Sequence, residues 1–147
     1  MSCVQDATTA THTRLVTELI KAGKYNWQAF GGGDGAGAGV SQHTCVDFMR
    51  QWCSPEMQKV PMMMSAGDAG NQTVAAFLIA RPPIAFLGYG WESDDKNWND
   101  VFLLQAGTPM GLCKEESAGM FSREWSNGKA ELDCNKWTSK LPFPSLT

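Results

Sequence analysis

Carboxylates offer this sequence its best prospects for chemistry. Asp34 lies in a glycine-rich stretch after a strand-like segment, and Glu92, Asp94 and Asp95 follow a second one. Loops that leave strand ends are where α/β folds gather their working residues. Two carboxyl groups roughly 5–10 Å apart across a sugar–sugar bond are the machinery of glycoside hydrolysis. Asp94-Asp95-Lys96 also reads simply as a solvated turn. Six tryptophans are many for 147 residues. Flat amphipathic rings line sugar clefts, and they equally fill cores.

Other chemistries find less support. The run from Gly31 to Gly39 lacks the Gly-Lys-Ser/Thr ending of a phosphate loop and the glycine spacing of a dinucleotide fold. His43, Cys45 and Cys53 bring neither a CxxC pair nor a second nearby histidine, so four zinc ligands are not in reach. Neither histidine neighbours a serine or cysteine in a nucleophile elbow. No metal and no cofactor is expected.

Cysteines stand at 3, 45, 53, 113 and 134, an odd number that leaves at least one unpaired within the chain. Cys45 and Cys53 on one continuous helix are roughly 12 Å apart along its axis, too far to bridge each other. Cys113 precedes a hairpin and Cys134 ends it, so this pair is the candidate disulfide, with two buried thiols the alternative. Asn71-Gln72-Thr73 matches an N-glycosylation acceptor. These features together suggest an oxidising compartment, although the N-terminus MSCVQDATTATHTR is no signal peptide. A secreted chain without one is processed, truncated or part of a longer reading frame.

The elements that must position these residues follow from periodicity. Thr8–Ala22 reads as a helix and Lys24–Phe30 as a short strand that runs into the glycines. Thr44–Cys53 is a second helix capped by Thr44, with Cys45, Phe48, Met49 and Trp52 on its apolar face. Val60–Met64 is a buried strand, Gln72–Ala80 a third helix capped by Asn71, and Ile84–Leu87 a further strand before a polar loop to Asp100. Met120–Trp125 and Lys129–Cys134 flank Asn127-Gly128, a strong signal for a type I′ hairpin turn. That turn sets Trp125 opposite Ala130, Arg123 opposite Leu132 and Glu124 opposite Glu131.

Length allows a single domain with a real core. A net charge of −3 with no basic patch argues against nucleic acid, and no apolar run approaches a membrane span. The expected fold class is α/β: partial (β/α) barrel-like units over residues 1–100, then a C-terminal antiparallel β-hairpin extension over 101–147.

The order of motifs from Asn71 to Asp133 carries a resemblance. Asn71–Arg81 is followed by Gly88-Tyr89-Gly90-Trp91, by Gly107-Thr108-Pro109-Met110-Gly111, and by Phe121-Ser122-Arg123-Glu124-Trp125-Ser126-Asn127-Gly128. This resembles the C-terminal end of glycoside-hydrolase-like TIM barrels. The resemblance implies the last βα units of a carbohydrate-active parent that hydrolyses glycosidic bonds, with most of the barrel upstream. It implies that Trp27, Gln28, Asp34, Tyr89, Trp91 and Glu92 face the sugar, and it assigns no catalytic carboxylate. The alternative is a non-catalytic sugar-binding or interaction module, with Trp27, Trp91 and Trp98 stacking on sugar rings. A third reading is a fragment with no activity of its own. The expected partner is an oligo- or polysaccharide, and the expected location is extracellular or in the secretory pathway.

Overall fold

The computed structural model describes residues 14, 15, 18, 21, 22, 28–30, 40–65, 70–88 and 100–146, with backbone alone at 28–30, 63 and 65. Arg14, Leu15, Glu18 and Lys21 are helical, inside the first predicted helix. Two helices are described in full, α1 (Gln42–Trp52) and α2 (Asn71–Ala80). Three short strands, β1 (Gln28–Phe30), β2 (Met62–Ser65) and β3 (Ala85–Gly88), form a parallel sheet in that order. Four more, β4 (Lys114–Ser117), β5 (Met120–Trp125), β6 (Gly128–Asp133) and β7 (Thr138–Lys140), form an antiparallel meander. Among the described residues, no helix is long and apolar enough to cross a membrane.

The helix starts differ slightly from expectation. The Ser41 backbone N–H donates to Thr44 Oγ1 at 3.2 Å, which makes Ser41 the cap of α1 and Thr44 its third residue. Gly70, not Asn71, caps α2.

The expectation of partial barrel units is overturned. The larger sheet is the antiparallel one, and the surroundings of α2 explain why. A barrel helix packs one stripe on its sheet and turns the opposite side to solvent. In α2 every residue from Thr73 to Ala80 is buried. The helix packs against β5, β6 and β7 of the antiparallel sheet. Val74, Ala75, Ala76, Phe77, Leu78 and Ile79 leave α2 no polar stripe to offer solvent. Buried residues of both sheets and both helices form one cluster, from Val40 through Met62, Ile79 and Phe121 to Phe143.

The hairpin forms, in a register shifted from the predicted one. Trp125 pairs with Gly128, Glu124 with Lys129, Arg123 with Ala130 and Phe121 with Leu132. The two-residue turn is therefore Ser126-Asn127. Among the described residues only Trp137 is a non-glycine at positive φ, so Ser126 and Asn127 do not make a type I′ turn. The positive φ falls on Gly128, at 152°. Asn127 serves another purpose: its N–H bonds Ala106 O at 3.2 Å and its Nδ2 bonds Gln105 O at 2.9 Å. Because the shift is two residues, the inward set survives, with Phe121, Trp125, Ala130 and Leu132 all buried.

Glu124 consequently faces a lysine rather than a glutamate, 3.8 Å from Lys129 Nζ, on an exposed surface. We expect Glu124→Gln to cost under about 1 kcal/mol, as for exposed ion pairs generally. Gly128→Val should cost well over that. A Cβ there meets Pro142 O at 3.2 Å and the Phe143 ring at 3.3 Å, and a β-branched residue resists this φ. Thermal melts of the two variants compare them; equal melting temperatures would refute the reading of the turn.

Two disulfides join α1 and its C-cap to the antiparallel half: Cys45–Cys134 and Cys53–Cys113. The predicted Cys113–Cys134 bridge is absent, since each of those cysteines pairs with one on the helix side. Residues eight apart on a helix stand about 80° apart around its axis, within the breadth of one face. Cys45 and Cys53 therefore face one neighbour together. The two loops are nested, with 53–113 inside 45–134.

Candidate functional site

The parallel sheet divides the predicted sugar-facing residues. Gln28 opens β1 opposite Met62, at the amino end of the strands. Phe30 pairs with Met64, Met64 with Leu87 and Ser65 with Gly88, so the three strands finish at one common edge. Tyr89, Trp91 and Glu92 come one, three and four residues after Gly88, and Asp34 comes four after Phe30. Trp27 precedes β1. Trp27, Asp34, Tyr89, Trp91 and Glu92 lie outside the described residues, as does Trp98. Of the predicted set, Gln28 alone lies among the described residues, at the amino end of β1.

Glu115 and Glu116, whose carboxyl pKa values are lowered, are both already partnered. Glu115 receives Arg50 Nε at 2.9 Å and Arg50 Nη2 at 2.7 Å, and the Gly119 N–H at 2.9 Å. The Arg50 hydrogen bond, aided by that amide, holds Glu115 at about 2, against an ordinary 4.5. Arg50 lies between Cys45 and Cys53 on the sequence of α1, so this ion pair sits within the span the two bridges anchor. A carboxylate depressed in the folded state contributes stability above its unfolded pKa and loses it as pH falls towards the folded value. We expect melting temperature to fall between about pH 4.5 and about pH 2 partly through Glu115. Glu115→Gln should flatten that part of the acid limb; a profile identical to wild type would remove Glu115 from the account.

The outer face of the meander carries a second set. Lys129 Nζ lies 3.1 Å from Glu116 and 3.8 Å from both Glu124 and Glu131, and Lys140 Nζ is 3.4 Å from Glu131. Ser122 Oγ donates to Glu116 at 2.6 Å, which with Lys129 lowers the Glu116 pKa. The Glu116 bond in turn raises that of Lys129. Glu116, Ser122, Lys129, Glu131 and Lys140 rim a shallow concavity of about 500 Å³. The three glutamates share two lysines, and each lies within 3.8 Å of one, which suits a solvated hydrogen-bonding surface better than acid–base catalysis.

The two short motifs behind the family resemblance are parts of one clasp. Ser126 N–H bonds Thr108 O at 2.9 Å, Thr108 N–H bonds Ser126 Oγ at 3.0 Å, and Met110 N–H bonds Glu124 O at 2.9 Å. Gly107 sits at φ 84°, and a Cβ there would overlap Ser126 Oγ. The glycine before Thr108 is therefore a packing requirement of the hairpin turn. Arg123 completes the clasp. Its buried guanidinium donates from Nε to Gly111 O at 2.9 Å and from Nη1 to Arg81 O at 2.5 Å and Ile79 O at 3.3 Å. The last carbonyls of a helix lack intrahelical partners and carry its negative dipole end. Arg123 takes the ends of α2 on either side of Ala80, whose own carbonyl accepts Gln58 Nε2 at 2.9 Å. Burial and the neighbouring Arg81 charge both lower the Arg123 pKa, and the two guanidiniums lie 5.4 and 5.5 Å from the Trp125 ring centre.

Sequence reasoning missed these roles. Arg123 stands out in sequence as the one cation on an otherwise apolar strand face, and Cys45 and Cys53 by their spacing, but nothing local names their partners. Cys45 and Cys53 are bridged, so neither sulfur is a free thiolate ligand. Among the described residues no cluster of three His, Cys, Asp or Glu could hold a metal ion. No protein-family model matches the chain, and no curated protein matches it.

Proposed function

We propose that this chain is a carbohydrate-directed protein that meets its ligand at the carboxyl end of β1, β2 and β3. The observation that carries this is the common ending of the three parallel strands at Phe30, Ser65 and Gly88. Open α/β sheets bind ligands beyond the carboxyl ends of their strands. Tyr89, Trp91 and Glu92 follow one of those ends and Asp34 another, an aromatic and acidic set suited to sugar rings and hydroxyls. The motif order from Asn71 to Asp133 supports hydrolysis of glycosidic bonds by a full-length parent, with Asp34 and Glu92 as carboxyl candidates. Binding without hydrolysis is the second reading, favoured by the arginine and lysine partners of Glu115, Glu116 and Glu131. Two intramolecular disulfides are compatible with an extracellular protein, and on this reading the chain works outside the cell or in the secretory pathway.

Glycan-array binding and reducing-sugar release, measured together, test the proposal. Wild type should bind at least one oligosaccharide class. Trp91→Ala should weaken that binding by about tenfold or more, as for a central aromatic anchor. Glu124→Gln, on the exposed face of the hairpin, should leave it unchanged. Release of reducing ends that Glu92→Gln abolishes supports hydrolysis; binding without release supports the module. No binding to any glycan, or equal binding by Trp91→Ala, would sink the proposal.

A further inference from the structure

We propose that Asn71 is an N-glycosylation site, occupied before α2 forms. Asn71-Gln72-Thr73 is the one Asn-x-Ser/Thr tripeptide in the 147 residues. The pattern alone is weak, and three structural observations strengthen it. Asn71 is the first residue of α2 and is exposed, so a glycan on its side chain leaves the folded core undisturbed. It stands at the rim of a depression of about 350 Å³ with Asp100, Val101, Leu104, Ser139 and Leu141, where a first sugar finds both hydroxyl and apolar neighbours. The two disulfides are compatible with the oxidising compartment in which such transfer takes place.

The order of events along the chain fits as well. Thr73, whose hydroxyl an acceptor tripeptide must present, is buried in the fold at 2% exposure. The acceptor is therefore available only while this segment is unfolded. Both bridges join a cysteine before residue 71 to one at 113 or beyond. During synthesis Asn71 emerges before either bridge can close, which keeps the segment open at the time of transfer. In the reaction, the Asn71 amide nitrogen attacks the anomeric carbon of an oligosaccharide carried on a lipid diphosphate. A carbon–nitrogen bond forms, the carbon–oxygen bond to the diphosphate breaks, the lipid diphosphate leaves with the electron pair, and the amide gives up one proton. No oxidant or reductant is needed.

Expression of the whole chain behind a cleaved secretion leader in a eukaryotic host tests this. Both secreted and retained material are read, so a folding defect does not hide the result. Treatment with a peptide-N-glycosidase should sharpen and speed the band on a gel. In heavy-oxygen water it should convert Asn71 to a labelled Asp in the peptide spectrum. Asn71→Gln and Thr73→Ala should abolish the shift, and Thr73→Ser should retain it. An unmodified Asn71 peptide in both fractions of wild type, or a shift that survives Asn71→Gln, overturns the proposal. Neither result depends on whether the chain binds sugar ligands.

Discussion

A Cys45→Ala/Cys134→Ala variant should unfold about 4 kcal/mol more easily than wild type. The bridge spans 89 residues, of which the intact Cys53–Cys113 bridge already ties off 60, and closing the remaining loop of about 30 removes roughly this much freedom from the unfolded chain. Cys45 and Cys134 are also almost wholly buried, so the alanines leave some packing unfilled. For a chain of this size the loss should lower the melting temperature by about 8–16 °C. Cys53→Ala/Cys113→Ala reopens a loop of 60 residues inside the intact outer bridge and should cost a comparable amount. Cys53 is only half-buried while Cys45 is fully enclosed, so mild reductant should open Cys53–Cys113 first. Thiol labelling followed by peptide mass analysis gives the order. Labelling of Cys45 and Cys134 ahead of the other pair, or a melting temperature unmoved by either double variant, would contradict the account.

Arg123→Met should be the most damaging single change in the hairpin, at about 3 kcal/mol or more. It leaves Ile79 O, Arg81 O and Gly111 O without their donor, and hydrogen bonds from a charged group contribute about 1.5–3 kcal/mol each. Arg123→Lys should rescue little. A guanidinium presents a planar fork that reaches carbonyls on two separate chain segments, whereas an ammonium is a single point. Urea unfolding of both variants decides this; a lysine variant within about 0.5 kcal/mol of wild type would mean that the carbonyls find other partners.

Local features were readable in advance where a short-range rule governed them. The apolar stripe of Cys45, Met49 and Trp52 marked α1, and both prolines after Arg81 marked the end of α2. The hairpin was legible from its alternation. Its register was not, because Asn127 turns out to bond Gln105 and Ala106, some twenty residues away, instead of lining a type I′ turn. The disulfide partners were hidden for the same reason. Nothing near Cys113 or Cys134 in sequence says that α1 packs alongside them. The overall class went astray at α2, whose uniformly apolar residues reveal burial without saying what buries them. Of the candidate sugar-facing residues, Gln28 alone lies among the described ones, at the start of β1.

The nesting of the two bridges gives the chain an unusual response to tension. A pull applied at the two termini runs from residue 45 through the Cys45–Cys134 sulfurs to residue 134, and the chain between them carries none of it. At about 3.3–3.6 Å per extended residue, some 300 Å of contour length stays out of reach of the force. Reducing only Cys53–Cys113 releases none of that length, because the outer bridge still short-circuits the inner loop. Extensibility in this protein is therefore gated by one buried sulfur–sulfur bond, with both sheets lying largely on its protected side.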